Sequence, residues 1–319
     1  MKAILFNGER LEEIRMPKPR LRRGEAVVQV LLAGICATDL EITRGYMEFR
    51  GVPGHEFVGI VVSSSKRELM GQRVVGEINI PCRKCSICRS GLGKHCPNRS
   101  ILGISKRNGA FAEYLSLPVH NLHPVPRQVS NEEAVFTELL AAACEIPTRV
   151  RFPARSRVAV LGDGRLAAMA AQVLSLKTGK VTVFGQNPMK LSVIKRIGIT
   201  ARDISQRKRF SQSFDTVVEC TGKPAGLALA AELVRPQGTI VLKSTYHGQL
   251  NWNPAPIVID EMTVIGSRCG PFDEALKLLA RGKIETTPFL TATYPFHRWR
   301  AAFRCARQLD SFKVLLQIR

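Results

Sequence analysis

A chain of 319 residues, 45% of them hydrophobic, is long enough for two domains that each bury a core. Lys and Arg number 47 against 26 Asp and Glu, a formal charge of +21 that draws anionic partners. No apolar run approaches the roughly 20 residues of a membrane-spanning helix, and Asn7, Gly8, Glu9 and Arg10 end the first apolar stretch, so neither a membrane anchor nor a signal peptide is expected and the protein is read as cytoplasmic. The basic clusters Arg20-Leu21-Arg22-Arg23 and Arg207-Lys208-Arg209 are short and lack interleaved aromatic residues that would stack on bases. They read as solvated surface, and nucleic acid is not an expected partner.

Residues 1 to about 148 are rich in Val, Gly and Pro, with runs such as Ala26-Val27-Val28-Gln29-Val30 and Gly59-Ile60-Val61-Val62, so this part is expected to be mainly β. Within it, four of the nine cysteines, Cys82, Cys85, Cys88 and Cys96, are spaced C-x2-C-x2-C-x7-C. In a reducing compartment such a cluster points to a metal rather than to disulfides. Four thiolates suit tetrahedral Zn2+, with an iron–sulfur cluster as the other chemistry open to this ligand set. Because the protein fills every position, this metal is structural. Gly91 and Gly93 let the loop turn back, and Lys84, Arg89 and Lys94 offset the thiolate charge.

From about residue 150 the rhythm changes to strand-like runs (157–161, 180–184, 214–219, 239–242, 263–265) alternating with helical stretches such as 166–177 and 225–234. That alternation predicts βαβ units on a parallel sheet. A last helix over 272–281 is followed by Pro288 and Pro295, and the tail from about 286 is expected to return to the first part of the chain. The division is therefore residues 1–148 with 286–319, and residues 149–285.

Val158-Ala159-Val160-Leu161 runs into Gly162-Asp163-Gly164-Arg165-Leu166-Ala167, a G-x-G-x-x-A turn between strand and helix. Gly162 permits the turn, Gly164 lets the backbone approach a pyrophosphate, and Ala167 allows helix and strand to pack closely. The helix N-terminus then presents unpaired N–H groups to the phosphates. A carboxylate that binds the ribose 2′-OH normally ends the second strand. Here that strand ends Val183-Phe184-Gly185-Gln186-Asn187, with no Asp or Glu between Asp163 and Asp203. Gly185 leaves room for a 2′-phosphate, and Lys190, Lys195 and Arg196 follow, so NADP(H) is favoured over NAD(H). Gln186 or Asn187 could still bond an unphosphorylated ribose.

Gly34-Ile35-Cys36-Ala37-Thr38-Asp39-Leu40, Gly54-His55-Glu56-Phe57-Val58-Gly59, the four-cysteine lobe and the dinucleotide turn occur in that order. Together they make the chain, over nearly its whole length, resemble the zinc-containing medium-chain dehydrogenases, the family of alcohol, sorbitol and threonine dehydrogenases. The resemblance implies an α/β protein: a GroES-like β-rich catalytic domain carrying both zinc sites, a Rossmann doubly wound parallel-sheet domain, and an active site in the cleft between them. It makes Cys36 and His55 ligands of a second, catalytic zinc, two Zn2+ per chain in all. Glu56 is similar to a residue that ligates zinc or helps exchange its ligands.

The remaining ligand is expected at Glu138, since Thr137-Glu138-Leu139-Leu140 resembles a family Glu-Pro-Leu segment with Leu139 for the proline; Cys144 is the rival. Thr38 is placed like the hydroxyl that carries the substrate proton, and Asp39 like the carboxylate that orients the histidine. Glu41 stands where many relatives have a proton-relaying histidine. Lys313-Val314-Leu315-Leu316 resembles the segment whose basic residue contacts the cofactor pyrophosphate.

The physical logic is that a metal with an open position acidifies a bound alcohol or polarises a carbonyl while hydride passes to or from the nicotinamide. The expectation is a zinc-dependent alcohol dehydrogenase or carbonyl reductase acting on a small-molecule substrate, with residues 251–268 offering an edge for a dimer or tetramer. Two competing readings are a nicotinamide-dependent C=C reductase on the same fold, and a basic nucleic-acid-binding or regulatory protein on a dehydrogenase scaffold. Cys36, His55 and Glu56 argue against the first, and only the +21 charge supports the second.

Overall fold

The longest strand described, Glu25–Ile35, is buried along most of its 11 residues because strands flank it on both sides. The computed structural model describes residues 1–245 and 249–319, which form two units: residues 1–138 with 276–319, and residues 139–275. The boundaries fall about ten residues earlier than the sequence suggests, within the helices Thr137–Cys144 and Phe272–Ala280.

In the first unit a seven-stranded sheet runs in the order Leu122–Pro124, Arg73–Gly76, Glu56–Ser64, Glu25–Ile35, Lys313–Gln317, Leu290–Pro295, and Tyr114–Pro118 also pairs with Glu25–Ile35. Register does the work of site building. Gly34 lies opposite Glu56, and Val314 lies opposite Ile35. The end of the central strand is thereby held between residues far away in sequence. A separate three-stranded sheet (Asn79–Ile80, Ser100–Leu102, Lys106–Arg107) and the short helix Ser86–Arg89 carry the cysteine lobe.

The second unit is a six-stranded parallel sheet in the order Thr200–Asp203, Lys180–Gly185, Arg157–Leu161, Phe214–Glu219, Val234–Leu242, Thr263–Gly266. Numbered along the chain, this is the 3-2-1-4-5-6 order of dinucleotide-binding sheets. Val158, Ala159, Val160 and Leu161 are all fully buried, as expected where a sheet is covered on both faces. Among the described residues no helix is long and apolar enough to cross a membrane.

Lys243, at the end of Val234–Leu242, is buried with three acceptors around its ammonium: Ala142 O at 2.7 Å, Arg268 O at 2.8 Å and Ser267 Oγ at 3.1 Å. Lys243→Met would take this charged donor from those half-buried acceptors. We expect a loss of about 2–3 kcal/mol in urea unfolding; a loss below about 0.5 kcal/mol would show that the ammonium adds nothing to stability.

Candidate active site

Cys36 caps the helix Ala37–Ile42 directly after the central strand. Asp39 Oδ2 accepts the Cys36 N–H at 2.8 Å, and its Oδ1 accepts the Gly54 N–H at 3.1 Å. The same Oδ1 lies 3.3 Å from Nδ1 of His55. Asp39, with no exposed surface, thus ties the Cys36 turn to the Gly54-His55 turn and fixes the imidazole from behind.

Ligand atoms of Cys36, His55 and Glu56 lie within 4.8 Å of one another. Burial opposes charge on His55, but the Asp39 carboxylate and the Cys36 sulfur outweigh it and hold the imidazole well above its ordinary 6.5. A donor set of sulfur, nitrogen and carboxylate that draws positive charge to its centre fits a divalent metal.

Behind the cluster, Lys313 is fully buried and its Nζ is paired with Glu56 Oε2, 5.5 Å from the centre of the Phe136 ring. Lys313, expected on a cofactor pyrophosphate, is placed against Glu56 instead. The Cys36 thiol lies 3.8 Å from Thr38 Oγ1. Glu41 is on the exposed side of its helix and pairs with Arg44 at 2.6 Å. Glu138 is half-buried at the start of its helix and is not among the three residues whose ligand atoms converge. The rival Cys144 is buried beside Glu274, its thiol pushed up to about 12 by that burial, and is likewise outside the cluster.

The four lobe cysteines converge as the spacing predicts. Zn–S bonds of about 2.3 Å at tetrahedral angles separate sulfurs by about 3.8 Å. The sulfurs lie 3.5 Å apart for Cys85–Cys88, 3.8 Å for Cys85–Cys96 and 3.9 Å for Cys82–Cys88. Backbone N–H groups of Lys84 and Cys85 lower the Cys82 thiol, while burial and the neighbouring thiols push that of Cys88 up, so without a cation the cluster holds its negative charge on Cys82.

In the second unit a pocket of about 320 Å3 is lined by Gly162, Asp163, Gly164, Gly185, Gln186 and Lys190, together with Cys220, Thr221 and Lys223. Gly162 has φ +113°, and a Cβ there would meet the Cys220 carbonyl oxygen at 2.7 Å, so both conformation and space require glycine. Gly164 caps the helix Arg165–Ser175, and Ala167 is fully buried beneath it. Asn187 caps the helix Pro188–Arg196 by accepting the Lys190 N–H at 3.1 Å. Lys195 and Arg196 are exposed in that helix's last turn, at its far end from the pocket.

One expectation changes here. Space beside Gly185, assigned to a 2′-phosphate, is occupied by Asp163, whose Oδ2 would lie 2.6 Å from an added Cβ. The carboxylate absent from the end of the second strand is supplied from the glycine turn.

Comparison with known proteins finds relatives for both parts of the chain. The profile of the alcohol dehydrogenase GroES-like domain matches residues 22–127, and that of zinc-binding dehydrogenases matches residues 164–281. The chain is 27% identical to D-arabinitol dehydrogenase 1 of Uromyces fabae, covering 99% of this chain and 97% of that protein. It is 29% identical to L-threonine 3-dehydrogenase of Chelativorans sp. strain BNC1, covering 95% and 94%. Its fold matches the short chain alcohol dehydrogenase rspB of E. coli CFT073 complexed with NADH at TM-score 0.92 and 26% identity, over 100% and 99% of the two chains. A Sinorhizobium meliloti 1021 protein bound to NADP matches at TM-score 0.91 and 26% identity, over 99% of each.

Two outcomes check the site. Lys313→Met should cost about 3–5 kcal/mol by leaving the buried Glu56 carboxylate without its ion pair, and adding Glu56→Gln should recover a large part of it. Strict additivity in urea unfolding of the double variant would contradict that coupling. Cys85→Ser should remove one metal ion per chain by elemental analysis and open residues 82–96 to protease, since a structural metal supplies on the order of 10 kcal/mol of local folding free energy. Unchanged metal content would contradict the tetrathiolate site.

Proposed function

The chain belongs to the zinc-type medium-chain dehydrogenase/reductase family and is a nicotinamide-dependent oxidoreductase, and from that we propose that it oxidises a secondary alcohol of polyol or amino-alcohol type, or reduces the matching carbonyl, with a catalytic zinc. The observation that carries this reading is the convergence of Cys36, His55 and Glu56, with Asp39 behind the histidine. Relatives named for D-arabinitol and threonine support the substrate class.

Cys36 and His55 would hold the catalytic zinc, with Glu56 in reach, and Glu138 is proposed as the further ligand. Zinc there supplies a Lewis acid that polarises the substrate oxygen. Asp39 keeps the imidazole oriented, so that Nδ1 faces the carboxylate and Nε2 is left for the metal. Thr38 Oγ1, beside the Cys36 sulfur, would relay the hydroxyl proton, accepting it from the substrate while passing its own toward solvent. Lys313 holds Glu56 in place by charge. Glu41, engaged with Arg44 at the surface, could pass the proton onward only from the solvent side.

Gly162, Gly164 and Ala167 would build the pyrophosphate turn, and Gly185, Gln186 and Lys190 line the pocket that would take the ribose, with Asn187 capping the helix that carries Lys190. The basic side chains Lys190 and Lys223 support a phosphorylated ribose, as in NADP(H), and the Asp163 carboxylate opposes it. Cys82, Cys85, Cys88 and Cys96 would hold the second, structural zinc. The outer strand of the parallel sheet, Thr263–Gly266, has Val258 and Ile259 exposed beside it, which supports a homo-oligomer formed through this edge.

The test is zinc content together with turnover of a polyol and amino-alcohol panel. We expect two zincs per chain, and Cys36→Ser should retain one of them while losing about 10³-fold or more in kcat/KM. Full activity of Cys36→Ser, or reduction of an enone with no alcohol oxidised, would overturn the reading.

A further inference from the structure

Asp163 stands between the two glycines of the dinucleotide turn, yet its side chain reaches the end of the neighbouring strand Lys180–Gly185. Its Oδ2 accepts the N–H of Gln186 at 2.7 Å and of Asn187 at 2.8 Å. Gly185 is glycine because a Cβ there would meet Asp163 Cβ and Oδ2, each at 2.6 Å. Among the described residues, Oδ1 of Asp163 makes no hydrogen bond, and the residue lines the pocket. On the other flank, Gly185 pairs with Asp203, which begins the next turn by accepting the Ser205 N–H at 2.8 Å. The strand end therefore lies between two carboxylate-bearing residues.

We propose that Asp163 sets the choice of dinucleotide: its carboxylate stands in for the acid missing from the strand end, accepts a ribose hydroxyl, and excludes a 2′-phosphate, so the pocket selects NAD(H) over NADP(H). This rests on the nicotinamide reading above and reverses the preference drawn from sequence alone. Recognition of a phosphate at such a turn draws on backbone N–H donors and on basic side chains. Here the donors are spent internally, those of Gln186 and Asn187 on Asp163 and that of Lys190 on the Asn187 side chain. Of the basic side chains, Lys223 already reaches Gln186 Oε1 at 3.3 Å. A phosphate entering here would meet a carboxylate fixed by two hydrogen bonds, and like charges at contact distance repel. A ribose hydroxyl would meet an acceptor.

Binding tests this without knowledge of the substrate. The full-length protein is titrated with NADH and NADPH by fluorescence, and with AMP and adenosine 2′,5′-bisphosphate by calorimetry. The wild type should bind NADH about tenfold or more tighter than NADPH, and AMP tighter than the bisphosphate. Asp163→Asn keeps the size and an acceptor for the two N–H groups, and should shrink the NADH preference about tenfold while leaving the melting temperature within a few degrees. Tighter binding of NADPH and of the bisphosphate by the wild type would overturn the proposal, even if Asp163→Asn failed to fold. So would a folded Asp163→Asn with an unchanged ratio. If neither dinucleotide bound, the nicotinamide reading would fall and this proposal with it; binding without turnover of any alcohol would count against the zinc chemistry alone.

Discussion

The first unit is organised by an electrostatic constraint: buried Asp39 and Glu56 and the half-buried Cys36 gather around a buried His55. Asp39 is 0% exposed, Glu56 1% and His55 3%. Removing such groups from water is costly unless each has a partner. Lys313 supplies one positive charge to Glu56, and the backbone N–H groups of Cys36 and Gly54 supply two donors to Asp39. The raised imidazole of His55 is the remaining response of the protein to this excess of negative groups. A cation at the centre would suit this donor set, and the same arrangement gives the sheet its reason for a fully buried lysine on the strand Lys313–Gln317.

The register explains why part of this site was legible in the sequence and part was not. The four lobe cysteines lie within 15 residues, and the dinucleotide turn within six, so local spacing carries both. Cys36 and Asp39 are likewise one turn apart. Glu56 and Lys313 are separated by 257 positions and meet because the central strand pairs with a strand on each side. Nothing local in Lys313-Val314-Leu315-Leu316 distinguishes a buried ion-pair lysine from a phosphate-binding one. The parallel order of the second unit followed from alternation of apolar strands and amphipathic helices; the exact division of the chain did not, since the helices Thr137–Cys144 and Phe272–Ala280 run across both boundaries.

Asp163 shows the same limit at shorter range. Gly185 was the visible signal, and a glycine at the end of a strand says only that something needs the space. Whether that is a ligand phosphate or a neighbouring side chain depends on where residue 163 points, and the adjacent strands Arg157–Leu161 and Lys180–Gly185, paired in parallel, bring their ends side by side. The contact is 22 residues away in sequence but next door in the sheet.

The net charge sharpens the importance of that carboxylate. Among the described residues, Asp39, Glu56, Glu145 and Glu219 are buried while only Lys243 and Lys313 are buried among the bases, so the solvent-facing charge exceeds the formal +21. A surface this basic attracts every dinucleotide, and attracts the one with the additional 2′-phosphate more. Such a field is spread over the molecule and screened within about 10 Å at 0.1 M salt, so it cannot read a single substituent at close range. Discrimination has to come from a group fixed at contact distance whose effect opposes the field. A carboxylate held by two backbone N–H groups, in a space kept open by Gly185, meets both requirements.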